Sequence, residues 1–130
     1  MMWFLFLPGV LGGCLIEPDA TGHVSIPNTT TAIELDAFYQ CNLTSIDIPD
    51  SVTSIGMTAF MDSNLVNVSI PDSVTSIGIS AFKDCTSLVN VSIGNSVASI
   101  GNNAFRDCTS LVDVIIGDNV TSIGDSAFRS

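Results

Sequence analysis

Positive charge is nearly absent from this chain. Three Lys/Arg stand against thirteen Asp/Glu, a formal net charge of −10 at pH 7. Phosphate binding needs a basic footprint, so the composition argues against a nucleic-acid partner. An anionic membrane surface is disfavoured for the same reason. Histidine is limited to His23. There is no Cys–His pair, no nucleophile elbow and no phosphate-cradling glycine loop, so catalysis has no residues to carry it and the chain reads as no enzyme. No CxxC pair or second histidine offers a zinc site, and neither a metal nor a cofactor is expected. No apolar run reaches the roughly 20 residues of a membrane-spanning helix.

What the chain does have is a unit that recurs in register. Phe38, Phe60, Phe82, Phe105 and Phe128 follow one another every 22 or 23 residues, and Leu43, Leu65, Leu88 and Leu111 keep the same rhythm. Repeats fall near 23–42, 43–64, 65–87, 88–110 and 111–130, the last incomplete. Self-similarity at this period predicts a solenoid. No single unit can close a core, but stacked coils turn the Leu, Val, Ile, Ala and Phe columns into one interior. A linear array of this length needs one domain.

Within one copy, Val68 and Ile70 alternate with Asn67 and Ser69, the period of a half-buried strand. Pro71, like Pro27 and Pro49, has no N–H for a ladder and ends it. Asp72-Ser73 is turn chemistry, with the Asp side chain expected to bond its own backbone. Val74 to Ile77 is a second extended piece. The glycine column Gly56, Gly78, Gly101 and Gly124 marks either positive φ or a close backbone approach. The segment Ser80 to Asp84 reads as one short helical turn.

The pattern LxxVxIPxxVxxIGxxAFxxC, carried by Leu65 to Cys85 and its neighbours, resembles the BspA-like class of leucine-rich repeats. The resemblance covers about five-sixths of the chain. It implies a leucine-rich-repeat-like solenoid of β-rich coils, curved, with a parallel sheet on one face. It also implies binding of a protein or cell-surface partner, with no catalytic residues. Two departures stand out: Glu34 replaces the column glycine in the first copy, and the last copy lacks its closing Cys-containing turn.

Residues 1–16 differ in kind. The run is apolar and of signal-peptide length, without the usual positive start. Four readings remain: a cleaved signal, a lipoprotein-type box that would lipidate Cys14, a mis-called start, or a cap laid over the first coil. Residues 17–22 read as a linker into the array. A cleaved signal would make the protein secreted or surface-bound; without one it would be cytoplasmic. Asn28, Asn42, Asn67, Asn90 and Asn119 match the N-glycosylation acceptor, although glycans on Asn67 and Asn90, one strand apart, would crowd each other. Cys41, Cys85 and Cys108 share a column and read as small buried thiols. Cys85 and Cys108 are near enough for a bond on distance alone.

The candidate binding surface is the outward side of the main strands. Its residues are Ser45, Asp47, Asn67, Ser69, Asn90, Ser92, Asp113 and Ile115, with His23 and Ser25 at the first coil. Repeat solenoids use such faces for extended partners. Other columns are bland. Lys83, Arg106 and Arg129 stack with an adjacent Asp column and read as a solvated edge. Asp50, Asp72 and Asp118 lack the density of calcium-binding repeats. Thr53, Thr75 and Thr121 resemble an ice-binding or surface-coat array only in part, with one Thr per coil. A fragment of a longer array is the remaining alternative.

Overall fold

The computed structural model describes residues 13–130. Each coil contributes one main strand and one short strand. The main strands are β1 (His23–Ser25), β3 (Ser45–Asp47), β5 (Asn67–Ile70), β7 (Asn90–Ile93) and β9 (Asp113–Ile115). The short ones are β2 (Ala32–Ile33), β4 (Ser54–Ile55), β6 (Ser76–Ile77), β8 (Ser99–Ile100) and β10 (Ser122–Ile123). Every pairing is parallel and joins equivalent residues, as in Val68 with Val91 and Ile77 with Ile100. The short strands form one five-stranded sheet. The main strands form a pair, β1–β3, and a trio, β5–β7–β9, bridged by the Val66 N–H donating to the Thr44 carbonyl at 3.1 Å. Parallel strands buried by stacking give the solenoid that the periodicity predicts.

The interior is a set of columns. Phe38, Phe60, Phe82 and Phe105 are fully buried, and their rings stack at centroid distances of 5.0–5.2 Å. Burying each ring contributes roughly 1.5–3 kcal/mol, so this column is a major source of stability. Leu43, Leu65 and Leu88 are equally buried beside it.

The helical turn expected at Ser80 to Asp84 is not there. Ser80 and Asp84 have φ of 56° and 60°, and the corresponding residues of the other coils behave alike, among them Thr58 and Asp62. A helix would consume its amides internally. Here only alternate amides do so: Ala81, Lys83 and Cys85 donate to Gly78, Ser80 and Phe82 of the same coil. Between them, Ser80, Phe82 and Asp84 donate to Asn102, Ala104 and Arg106 of the next coil at 2.7–2.9 Å. The alternation of left- and right-handed residues thus turns a local turn into a stacking surface, hereafter the turn face.

The column glycines are needed for close approach. None has a positive φ; a Cβ on Gly78 would stand 2.6 Å from the Gly56 carbonyl carbon, and one on Gly101 equally close to the Ile79 amide nitrogen. Each absent Cβ points at the preceding coil. Glu34, in the first coil, has no described repeat beneath it, which is why a side chain fits there. The turn acids also differ from expectation: Asp72 accepts the backbone N–H of Asn95 in the next coil at 2.7 Å rather than bonding its own turn.

The signal-peptide reading falls mostly on residues 1–12, outside the described residues. Residues 13–16 form a cap. Gly13 and Leu15 donate to the Tyr39 and Ala37 carbonyls at 2.8 Å each, and Cys14 and Ile16 pack on the core. Cys14 is bonded to Cys41. A thiol held in that bridge carries no lipid, and Cys41 is not the free column thiol expected of it.

Candidate functional site

The outward positions of the main strands converge as their spacing predicts. Asn67, Asn90 and Asp113 stand side by side, as do Ser69, Ser92 and Ile115. Their inward neighbours Val68 and Val91 are buried, so strand alternation fixes the outward set. Ser45, Asp47, Asn67, Ser69, Asn90, Ser92, Asp113 and Ile115 line or border one open groove of about 640 Å³. Asp47 is the one of these set at its margin; Ile115 is exposed at 67% and makes one end apolar.

The asparagines form a ladder: Asn90 Nδ2 donates to Asn67 Oδ1 at 2.7 Å. Ser45 pairs with His23, and Asp47 with Ser25. His23 joins these strands through side chains as well. Its Nδ1 lies 2.7 Å from Ser45 Oγ, and its Nε2 lies 3.2 Å from both Ser25 Oγ and Asp47 Oδ2. The strand pattern places His23 on this face, and its register accounts for these contacts, because Ser45 is one repeat away and Asp47 two residues further.

The remaining candidates lie elsewhere. All five sequon asparagines are exposed. Asn119 Nδ2 donates to the Asn95 carbonyl at 2.6 Å. Asn42 accepts from Asn64. The threonine column is tied down: Thr53, Thr75 and Thr121 hydroxyls donate to the backbone carbonyls of Thr31, Thr53 and Ala98. Lys83 pairs with Asp84 at 2.8 Å and Arg106 with Asp107 at 3.3 Å, so the Asp column offsets the basic one.

Cys85 and Cys108 are free and buried, each donating its S–H to a phenylalanine carbonyl of the preceding coil, Phe60 and Phe82, at 3.1 Å. Burial pushes both thiols up, Cys108 to about 12. Nucleophilic chemistry needs the thiolate, so these are packing groups. Among the described residues no group of three or more metal-ligating side chains converges, and no helix is long and apolar enough to cross a membrane.

Comparison with known proteins matches this geometry. A family model described as a BspA type leucine rich repeat region matches residues 19–130, counting six copies where the structure shows five strand pairs. Among curated proteins none matches. A solved leucine-rich repeat protein from Bacteroides ovatus is 27% identical, with a TM-score of 0.62 over 84% of this chain and 34% of its own. A leucine rich cell surface protein from Faecalibacterium prausnitzii is 30% identical, with a TM-score of 0.58 over 82% of this chain and 38% of that one. The leucine rich repeat protein of T. pallidum is 26% identical, with a TM-score of 0.61 over 84% of this chain and 65% of that one. This chain therefore spans between a third and two-thirds of the length of these relatives. With the family model covering residues 19–130 and the stacked coils in agreement, the chain belongs to the BspA-type leucine-rich repeat family.

Proposed function

We propose that the chain is a non-catalytic repeat module that binds a protein or cell-surface partner through the exposed face of its main strands. The observation that carries this reading is the groove of about 640 Å³ along that face, lined by in-register small polar side chains. Extended concave or flat faces are how stacked repeats present many weak contacts at once. No comparable convergence of chemistry exists on the short-strand sheet, where the threonine hydroxyls are spent on backbone carbonyls.

Placement at the cell surface or in a secreted form belongs to the same proposal. The Cys14–Cys41 disulfide fits an oxidising compartment. One structural relative is itself described as a cell surface protein. The test is to replace Asn67, Asn90 and Asp113 together by Trp and measure binding to a panel of immobilised extracellular proteins and intact cells. Binding should disappear while the melting profile is kept. Retained binding would remove the strand face from consideration.

A further inference from the structure

We infer that the strand face takes an extended, cationic stretch of polypeptide running along the solenoid axis, with basic residues four positions apart. This rests on the strand face being the binding surface. Its grounds are charge, spacing and the unspent hydrogen-bonding groups of the asparagine ladder.

The face carries no Lys or Arg. Lys83 and Arg106 lie on the turn face and are paired with Asp84 and Asp107. The Asp47 side chain is 77% exposed, with only its Oδ2 taken by His23 Nε2 at 3.2 Å, and Asp113 is exposed too. They sit in the second and fifth coils, three steps apart. They also stand in neighbouring outward columns, Asp113 beside Asn90 and Asp47 in the column of Ser69, Ser92 and Ile115. At about 4.8 Å per step and about 3.3 Å per residue they are therefore roughly 16 Å apart on a line tilted from the axis. An extended chain rises about 3.4 Å per residue with alternate side chains on one side, so residues i and i+4 span roughly 14 Å and face the same way, and long basic side chains reach the remainder.

Between the two acids lies the Asn67–Asn90 bond. Among the described residues the Asn67 side-chain N–H groups and the Asn90 side-chain carbonyl have no other protein hydrogen-bond partner. One donor and one acceptor are what a crossing peptide group needs. Among the described residues the groove lining contains no aromatic ring on which a sugar or base could stack. At the fifth coil Ile115, exposed at 67%, lines the groove two residues from Asp113, so an apolar residue next to the second cation has a contact there.

The experiment uses the full chain and a short labelled peptide carrying two lysines four residues apart with a leucine after the second, read by fluorescence anisotropy at low salt. A twin with glutamines in place of lysines is the reference. The lysine peptide should bind about tenfold or more tighter, and added salt should remove the difference. Asp47→Asn and Asp113→Asn should each weaken it about two- to fivefold. Asp72→Asn, on the turn edge, should leave it unchanged. Equal binding of the two peptides overturns the inference. So does a loss with Asp72→Asn matching that with Asp113→Asn, which would mean bulk attraction to an acidic chain. If both peptides bind and Asn67→Trp abolishes both, the face stands and its cationic preference falls. If the lysine peptide still binds Asn67→Trp unchanged, the face itself falls.

Discussion

The two ends of the solenoid carry the same residue types in the same columns and bury them differently. In the first coil Ile26 and Ile33 are 6% and 2% exposed; in the fifth their counterparts Ile116 and Ile123 are 42% and 51% exposed. The first coil has Gly13 to Ile16 laid across it, hydrogen-bonded and held by the Cys14–Cys41 bridge. The fifth coil's outer side is open among the described residues. Burial in this fold is therefore a property of the neighbour above or below, not of the residue. An isoleucine is worth what its stacking partner makes it worth.

The sharpest test of that view is the phenylalanine column. Phe82→Ala, with rings on both sides, should cost about 3–5 kcal/mol. Phe128→Ala, half-buried and stacked among the described residues on Phe105 alone at 5.2 Å, should cost roughly 1–2 kcal/mol. Urea denaturation of the two variants decides it; equal losses would break the comparison. Next in size is the sealed end. The bridge closes a sequence separation of 27 residues, and Cys14→Ser should remove roughly 3 kcal/mol. The accompanying amide exchange should rise first at Gly13 and Leu15, with the central coils unaffected.

A smaller effect separates the glycine column from its first member. Gly78→Ala drives a Cβ to 2.6 Å from Gly56 and should cost about 1–3 kcal/mol in a thermal melt. Glu34→Ala, at the same column in the first coil, should stay within about 0.5 kcal/mol. The smallest effect is a pH dependence confined to the sealed end. Asp19 is held below its ordinary 3.8 by the Thr21 hydroxyl, then by the His23 and Thr21 amides. A lowered folded-state pKa contributes stability that is present above the unfolded value and lost as pH falls through the folded one. Exchange at Thr21 and His23 should quicken in that acid range, and Asp19→Asn should flatten the response.

The repeat made most of the fold readable, because in a solenoid each residue's chief neighbour is its own copy one period away. Once Phe38, Phe60, Phe82 and Phe105 were aligned, the core and the outward set from Ser45 to Ile115 followed by alternation alone. Three things stayed hidden. The turn at Ser80 was misread as helical because local propensity reports Ala and Phe, whereas the left-handed φ of Ser80 and Thr58 is imposed by the coil above. Cys14 gave no sign of Cys41 because it lies outside the repeat. The bond from Asp72 to Asn95 was missed because turn chemistry is judged within four residues, and this one spans a coil.

The alternating turn face has an electrical sense. Asp36, Phe38 and Gln40 all point their N–H groups at the next coil, as do their counterparts up to Asn103, Phe105 and Asp107. Peptide dipoles so aligned add, as they do in an α-helix. The row therefore runs from bare carbonyls at the first coil to bare amides at the fifth, where Ser126 and Phe128 meet no backbone acceptor among the described residues. At the first coil those carbonyls, Ala37 and Tyr39, are the ones that Leu15 and Gly13 have taken. The short segment around Cys14 occupies the acceptor edge of the first coil, so the cap that covers the core also closes the carbonyl end of this row of dipoles.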